Sequence, residues 1–155
     1  MVHVLITGAA GFLGSHLAFR LLEAEYAVIG VDDLSHGTLE NLSPCLRFPH
    51  FTFYQQDVLD KNFLRELSGK IDVLVHFATY KIPRGGQSLK TIEVNTKGTE
   101  KILEVAKERK CRVLLGSTDD AYGKNPELPF SEESALVIGN SRSIRWSDAI
   151  SKLYS

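Results

Sequence analysis

Short apolar runs alternate along the chain with longer stretches whose apolar residues recur at three- and four-residue spacing. Runs rich in Val, Ile and Leu and bounded by Gly, Asp or Ser read as strands buried on both faces, whereas the longer periodic stretches read as amphipathic helices. The runs predict strands over residues 2–7, 27–32, 51–55, 73–77 and 112–117. Helices are predicted over 12–23, 62–67, 89–109 and from Ile144 onward. Such alternation predicts an α/β fold with a doubly wound parallel sheet, and 155 residues suffice for one domain spanning 1–155.

In the helix over 89–109, Leu89, Ile92, Asn95, Thr99, Ile102, Leu103 and Ala106 share one stripe, which sets an asparagine on the buried side. A buried amide needs partners. Asn95 is therefore expected either to tie neighbouring strands together or to orient groups at a cofactor site. The last helix is still running at Lys152, Leu153 and Tyr154 with no stop signal, so the fold is expected to continue beyond it.

Charge and composition narrow the possible partners. A formal net charge of -1 supplies no basic field for nucleic acid or an anionic membrane surface. The chain opens directly into a strand without a leader-like segment, and no run approaches the roughly 20 apolar residues of a membrane span. A cytoplasmic protein with no membrane partner is expected. Cys45 and Cys111 cannot build a disulfide framework and read as two reduced thiols. The five histidines show no metal-ligand spacing, so no metal site is expected.

The chemistry begins at Gly8-Ala9-Ala10-Gly11-Phe12-Leu13-Gly14, a G-x-x-G-x-x-G turn that follows the first strand and opens the first helix. Glycines there allow a tight turn and let a pyrophosphate approach the N–H groups of a helix N-terminus. The second strand ends in Val31-Asp32-Asp33, where the Asp32 carboxylate can accept both ribose hydroxyls of an adenosine. A 2′-phosphate would meet that carboxylate, so NAD is favoured over NADP. Asp33 suits a turn-capping role better. After the third strand, Asp57 and Val58 can place a carboxylate beside an adenine amino group, or Asp57 can cap the next helix.

With these residues in view, the sequence resembles the extended short-chain dehydrogenase/reductase family, specifically its NAD-dependent nucleotide-sugar epimerases and dehydratases. TGAAGFLGSHL, VDDLSHG, QDVLD, VLVHFATYK, VNTKGTEKILEVA and GSTDDAYG arrive in that family's order. The resemblance implies a Rossmann-type sheet and a NAD cofactor. It implies a homodimer acting on a nucleotide-sugar, and it implies that the C-terminal lobe holding that sugar is absent from these residues. By the same resemblance Phe12 and Leu13 line the pyrophosphate turn, Asp32 holds the ribose, and Asp57 with Val58 holds the adenine. Phe77, Ala78 and Lys81 run beneath the cofactor, Asn95 orders that floor, and Ser117 precedes the family's catalytic Ser/Thr position at Thr118. Asp120 matches an acidic position that related dehydratases and decarboxylases use for proton transfer, although Asp119 and Asp120 also read as exposed loop acids. UDP-sugar C4 epimerisation is the leading expectation, with decarboxylation or 4,6-dehydration as the alternative.

The family's Y-x-x-x-K motif reads Asp148-Ala149-Ile150-Ser151-Lys152 here, with the lysine present and the tyrosine replaced. A carboxyl would need its pKa raised by about three units, roughly 4 kcal/mol, to be poised near neutrality. Lys152 and a nicotinamide cation push it the other way. Asp148 is therefore expected to form an i,i+4 pair with Lys152, and a catalytically silent NAD-binding module is the reading from outside the enzyme class. Tyr122 matches the family's structural Y-G, and Tyr154 falls on another helix face than Lys152, so neither replaces the missing phenol.

Overall fold

The computed structural model describes residues 1–60, 62, 67, 69–81, 88–140 and 142–154. Strands β1 (His3–Thr7), β2 (Ala27–Asp32), β3 (Phe51–Gln55), β4 (Val73–His76) and β5 (Arg112–Leu115) form one parallel sheet in the order β3-β2-β1-β4-β5. The described helices are α1 (Phe12–Glu23), a single turn α2 (Leu39–Leu42), α3 (Ser88–Arg109) and α4 (Trp146–Tyr154), with a 3-10 turn at Asp119–Ala121. The predicted helix over 62–67 lies outside the described residues. No described helix is long and apolar enough to cross a membrane.

The chain forms two compact units: residues 1–78 with 98–116, and residues 79–97 with 117–155. The first contains the whole sheet, and period-two alternation explains its two cores. Val4 and Ile6 join Ala18, Leu22, Val28, Leu42 and Val75 in one cluster, while Leu5 joins Val31, Leu74, Ile102, Val105 and Ala106 in the other. Each fully buried aliphatic side chain contributes about 1.5–3 kcal/mol relative to its exposed state. A one-residue slip of β1 would exchange the two sets, so the register Leu5 to Ile29 and Leu74 is fixed by packing. This confirms the doubly wound α/β class, with β1 central and the chain leaving it first toward β2 and later returning at β4. The crevice at the carboxyl ends of β1 and β4 is therefore a topological switch point, where such sheets hold ligands.

Several sequence expectations are corrected. The buried stripe of α3 is Thr91, Asn95, Thr99, Ile102, Val105 and Ala106, whereas Leu89, Ile92 and Leu103 are exposed, Leu89 at 82%. The helix approaches its neighbours too closely for large side chains: a Cβ on Gly98 would lie 3.1 Å from Val58 Cγ2. Small and hydrogen-bonding residues take the inner face instead. Trp146, at the start of the last helix, is buried. Its indole lies against Gly139, where a Cβ would fall 2.4 Å from Cζ2. Strand β5 ends at Leu115 rather than residue 117, and the last helix starts at Trp146 rather than Ile144.

Candidate functional site

In the first unit, the turn after β1 is shaped by what cannot fit there. Gly8 adopts φ +71°, and a Cβ on it would lie 2.7 Å from both Ala78 N and Phe77 C. A Cβ on Gly14 would lie 2.1 Å from Gly8 O, so the first turn of α1 sits directly on the loop. Gly11 is the N-cap of α1, with extended backbone and no side-chain cap, and the helix has no acidic residue in its first turn.

The amides of this loop divide by role. Ala9 N–H donates to Val31 O and Gly11 N–H to Gly8 O. Ala10 N–H donates to Asp32 Oδ2 at 2.9 Å. The first intrahelical bond is Ser15 N–H to Gly11 O, so Phe12, Leu13 and Gly14 precede the ladder and their N–H groups have no i−4 partner. Those N–H groups and the positive end of α1 make an anion-binding concavity. The Phe12 and Leu13 side chains are exposed beside it. The opposite carbonyl, Ala10 O, is held by Thr38 N–H and by Asn41 Nδ2, a clamp that sequence reading missed. The glycine cradle, the open helix end and the adjacent carboxylate together fit a dinucleotide.

Asp32, buried at the end of β2, accepts Ala10 N–H on Oδ2 and Leu34 N–H on Oδ1. Each carboxylate oxygen has two lone pairs, so this clamp leaves acceptor capacity for ribose hydroxyls while fixing the side chain. Asp33 caps the following turn through Ser35 N and Oγ, as its position suggested. Asp57 is exposed and accepts Leu59 N–H, whereas Val58 is buried. The turn, Asp32, Phe77 and Ala78 are thus brought together in this unit.

The second unit contains the remaining predicted residues, and a buried amide ties three of its segments together. Asn95 accepts Thr79 Oγ1–H and Tyr80 N–H on Oδ1, and donates from Nδ2 to Asp148 Oδ1 and Ser151 Oγ, all at 2.8–3.1 Å. One amide therefore joins the 79–80 segment and α4 to α3. Asp148, expected to pair with Lys152, has its carboxylate held by Asn95. Burial pushes the Lys152 ammonium below the ordinary lysine value; the Asp148 charge opposes that shift and the Lys81 charge adds to it. Lys81 itself is exposed.

Thr118 caps the 3-10 turn, its Oγ1 accepting Asp120 N–H, while Ser117 is exposed. The turn packs against α4. Asp120 is not a solitary loop acid: the Arg145 guanidinium donates to its Oδ1, and this bond raises the arginine pKa. Arg145 also lies 5.6 Å from the Trp146 ring centre. Sequence reading did not find this pair, because no periodicity links residues 25 positions apart. Among the described residues no group of three or more His, Cys, Asp or Glu could hold a metal ion.

Comparisons with known proteins agree with this geometry. The family described as "NAD dependent epimerase/dehydratase family" matches residues 4–145. A UDP-N-acetyl-alpha-D-glucosaminuronate decarboxylase of Bacillus cytotoxicus is 37% identical over 96% of this chain and 46% of its own length. The solved UDP-Glc/GlcNAc 4-epimerase of Campylobacter jejuni superposes with TM-score 0.86 at 27% identity, covering 99% of this chain and 46% of that one. A dTDP-glucose 4,6-dehydratase of Streptomyces venezuelae with NAD and TYD bound gives TM-score 0.86 at 32% identity, covering 99% of this chain and 49% of that one. The chain thus spans just under half the length of each of these relatives. On the family match and the fold together, the chain belongs to the NAD-dependent epimerase/dehydratase family.

Proposed function

We propose that the chain binds NAD as the cofactor-holding half of a nucleotide-sugar enzyme, with C4 epimerisation of a UDP-sugar as the parent reaction. The observation that carries this reading is the turn of residues 8–14, whose ladder-free N–H groups open beside a clamped Asp32. The Phe12 and Leu13 amides would hold the pyrophosphate, with Gly8, Gly11 and Gly14 giving it room. Asp32 would accept the ribose hydroxyls and Asp57 with Val58 would border the adenine. Phe77 and Ala78 would line the rest of the site in the first unit, and the family resemblance gives Lys81, Asn95, Ser117 and Lys152 roles toward the same cofactor. When bound, NAD supplies a hydride acceptor. A cytoplasmic setting, which keeps Cys45 and Cys111 reduced, belongs to the same reading; burial pushes both thiols up and leaves them poorly reactive.

Decarboxylation and 4,6-dehydration are the alternative parent reactions, supported by the similarity to proteins of both kinds. Either would ask Asp120 to exchange its Arg145 partner for a proton-transfer role. The proposed reading of Asp148 is catalytic silence: its carboxylate is committed to Asn95, and no phenol stands one turn before Lys152. Thr118 would hydrogen-bond a reacting hydroxyl only where a base receives that hydroxyl's proton.

Homodimerisation is proposed through the second unit, whose exposed Leu89 and Ile92 on α3 and Ile150, Leu153 and Tyr154 on α4 form apolar surface. Light scattering should report a dimer, and a monomer across a wide concentration range would contradict it.

Calorimetric titration of the chain should show NAD binding at least about tenfold more tightly than NADP, the difference corresponding to about 1.4 kcal/mol of repulsion and desolvation at Asp32. Equal affinities would remove Asp32 from the ribose site. In a chain extended by the C-terminal half of a relative, Asp148→Tyr should raise turnover of a UDP-sugar by about 10²-fold or more, the range for one positioned acid–base group. Ordinary turnover by the extended chain with Asp148 unchanged would end the silent reading.

A further inference from the structure

Within the first unit, three residues from β1, β4 and α3 form a buried polar chain. Thr7 ends β1, His76 ends β4 and Thr99 lies on α3; they are 0%, 1% and 2% exposed. Thr7 Oγ1 lies 2.6 Å from His76 Nδ1, and His76 Nε2 lies 3.2 Å from Thr99 Oγ1. At the other end Ala78 N–H donates to Thr7 Oγ1 at 3.3 Å. A hydroxyl carries one hydrogen and two acceptor sites and a neutral imidazole one N–H, so the chain has two possible directions and the tautomer of His76 decides between them. With a bare Nδ1 it runs from Ala78 N–H to Thr7 Oγ1, from Thr7 O–H to Nδ1, and from Nε2–H to Thr99 Oγ1.

An apolar ring at residue 76 would fill this volume without the desolvation cost of two ring nitrogens. What the histidine adds is visible at the Ala78 end. Ala78 N is the atom a Cβ on Gly8 would strike at 2.7 Å, so the hydroxyl that His76 orients also holds the backbone on which the phosphate turn rests. If Thr7 lost its acceptor, its hydroxyl would turn to another partner and the Ala78 amide would lose its fixed oxygen. The Phe77–Ala78 backbone would then lose one of the bonds that hold it against the turn.

We infer that His76, as the neutral Nε2–H tautomer, is a positioning residue for the dinucleotide: through Thr7 it fixes the Phe77–Ala78 backbone against the turn of residues 8–14. This rests on the NAD reading above. It assigns different roles to the two ring nitrogens, the Nδ1 bond serving binding and the Nε2 bond anchoring α3.

The two nitrogens can be tested apart. His76→Asn keeps an acceptor near the Nδ1 position and gives up the bond to Thr99, whereas His76→Gln reaches toward Thr99 and gives up the acceptor for Thr7. Calorimetric titration with NAD, beside thermal melts of the same samples, should show His76→Asn within about threefold of the wild-type affinity and His76→Gln weakened about tenfold or more. Thr7→Ser should follow the first and Thr7→Val the second. A purely structural histidine would give affinities that follow the melting temperatures, with no preference for Asn over Gln, and that result overturns the inference. Long-range proton–nitrogen correlation spectra of the unliganded chain should show His76 with a bare Nδ1 and a protonated Nε2. The opposite tautomer overturns the inference without touching the NAD reading, whereas a wild-type chain that binds no NAD removes both.

Discussion

At the end of β1 the backbone of Gly8 lies so close to that of Phe77 and Ala78 that no Cβ fits between them. The first unit is arranged around this approach. It requires β1 and β4 to be neighbours, which the crossover from β3 to β4 achieves by bringing the chain back to the far side of β1 from β2. It requires the turn to leave β1 at positive φ, and it requires Gly14 to pass over Gly8 O as α1 begins. The result is a helix that opens with N–H groups lacking i−4 partners at the switch point of the sheet. Asp32 braces the same turn from β2 by taking Ala10 N–H, so the carboxylate that would select the ribose also sets the shape of the loop.

In the second unit a single amide does comparable work. Asn95 uses both lone-pair directions of its oxygen and both of its N–H bonds, and satisfied amides of this kind cost little to bury while specifying one arrangement of their partners. Asp148 is one of those partners. A carboxylate at that position therefore has a structural role of its own, as an acceptor for the buried Asn95 amide.

The sheet, the glycine turn and the placement of Asp32 at the end of β2 were legible in the sequence because each is a local signal: a period of two, glycines at fixed spacing between strand and helix, and an acid at a strand end. Strand β2, strand β3 and helix α1 fall within the very residues predicted. The face of α3 was misread because hydrophobicity ranks Leu89, Ile92 and Leu103 above Thr91 and Gly98, whereas the packing selects for close approach. The burial of Trp146 is likewise invisible to hydrophobic spacing, since it depends on the absence of a side chain at Gly139, seven positions earlier. Asn95 was marked as a buried amide, but its partners at Tyr80 and Asp148 could not be read from spacing. Arg145 with Asp120, and Thr7 with His76, are pairings between distant residues that exist only once the chain has folded.

The central claim is that the turn of residues 8–14 receives the pyrophosphate of a dinucleotide. The most direct measurement is a titration of the isotopically labelled chain with NAD, followed through its backbone amide resonances. The account predicts saturable shifts that are largest at the Phe12 and Leu13 amides and extend to Ala10 and Leu34, whose N–H groups are tied to Asp32. Saturable binding that leaves the Phe12 and Leu13 amides unmoved would contradict it.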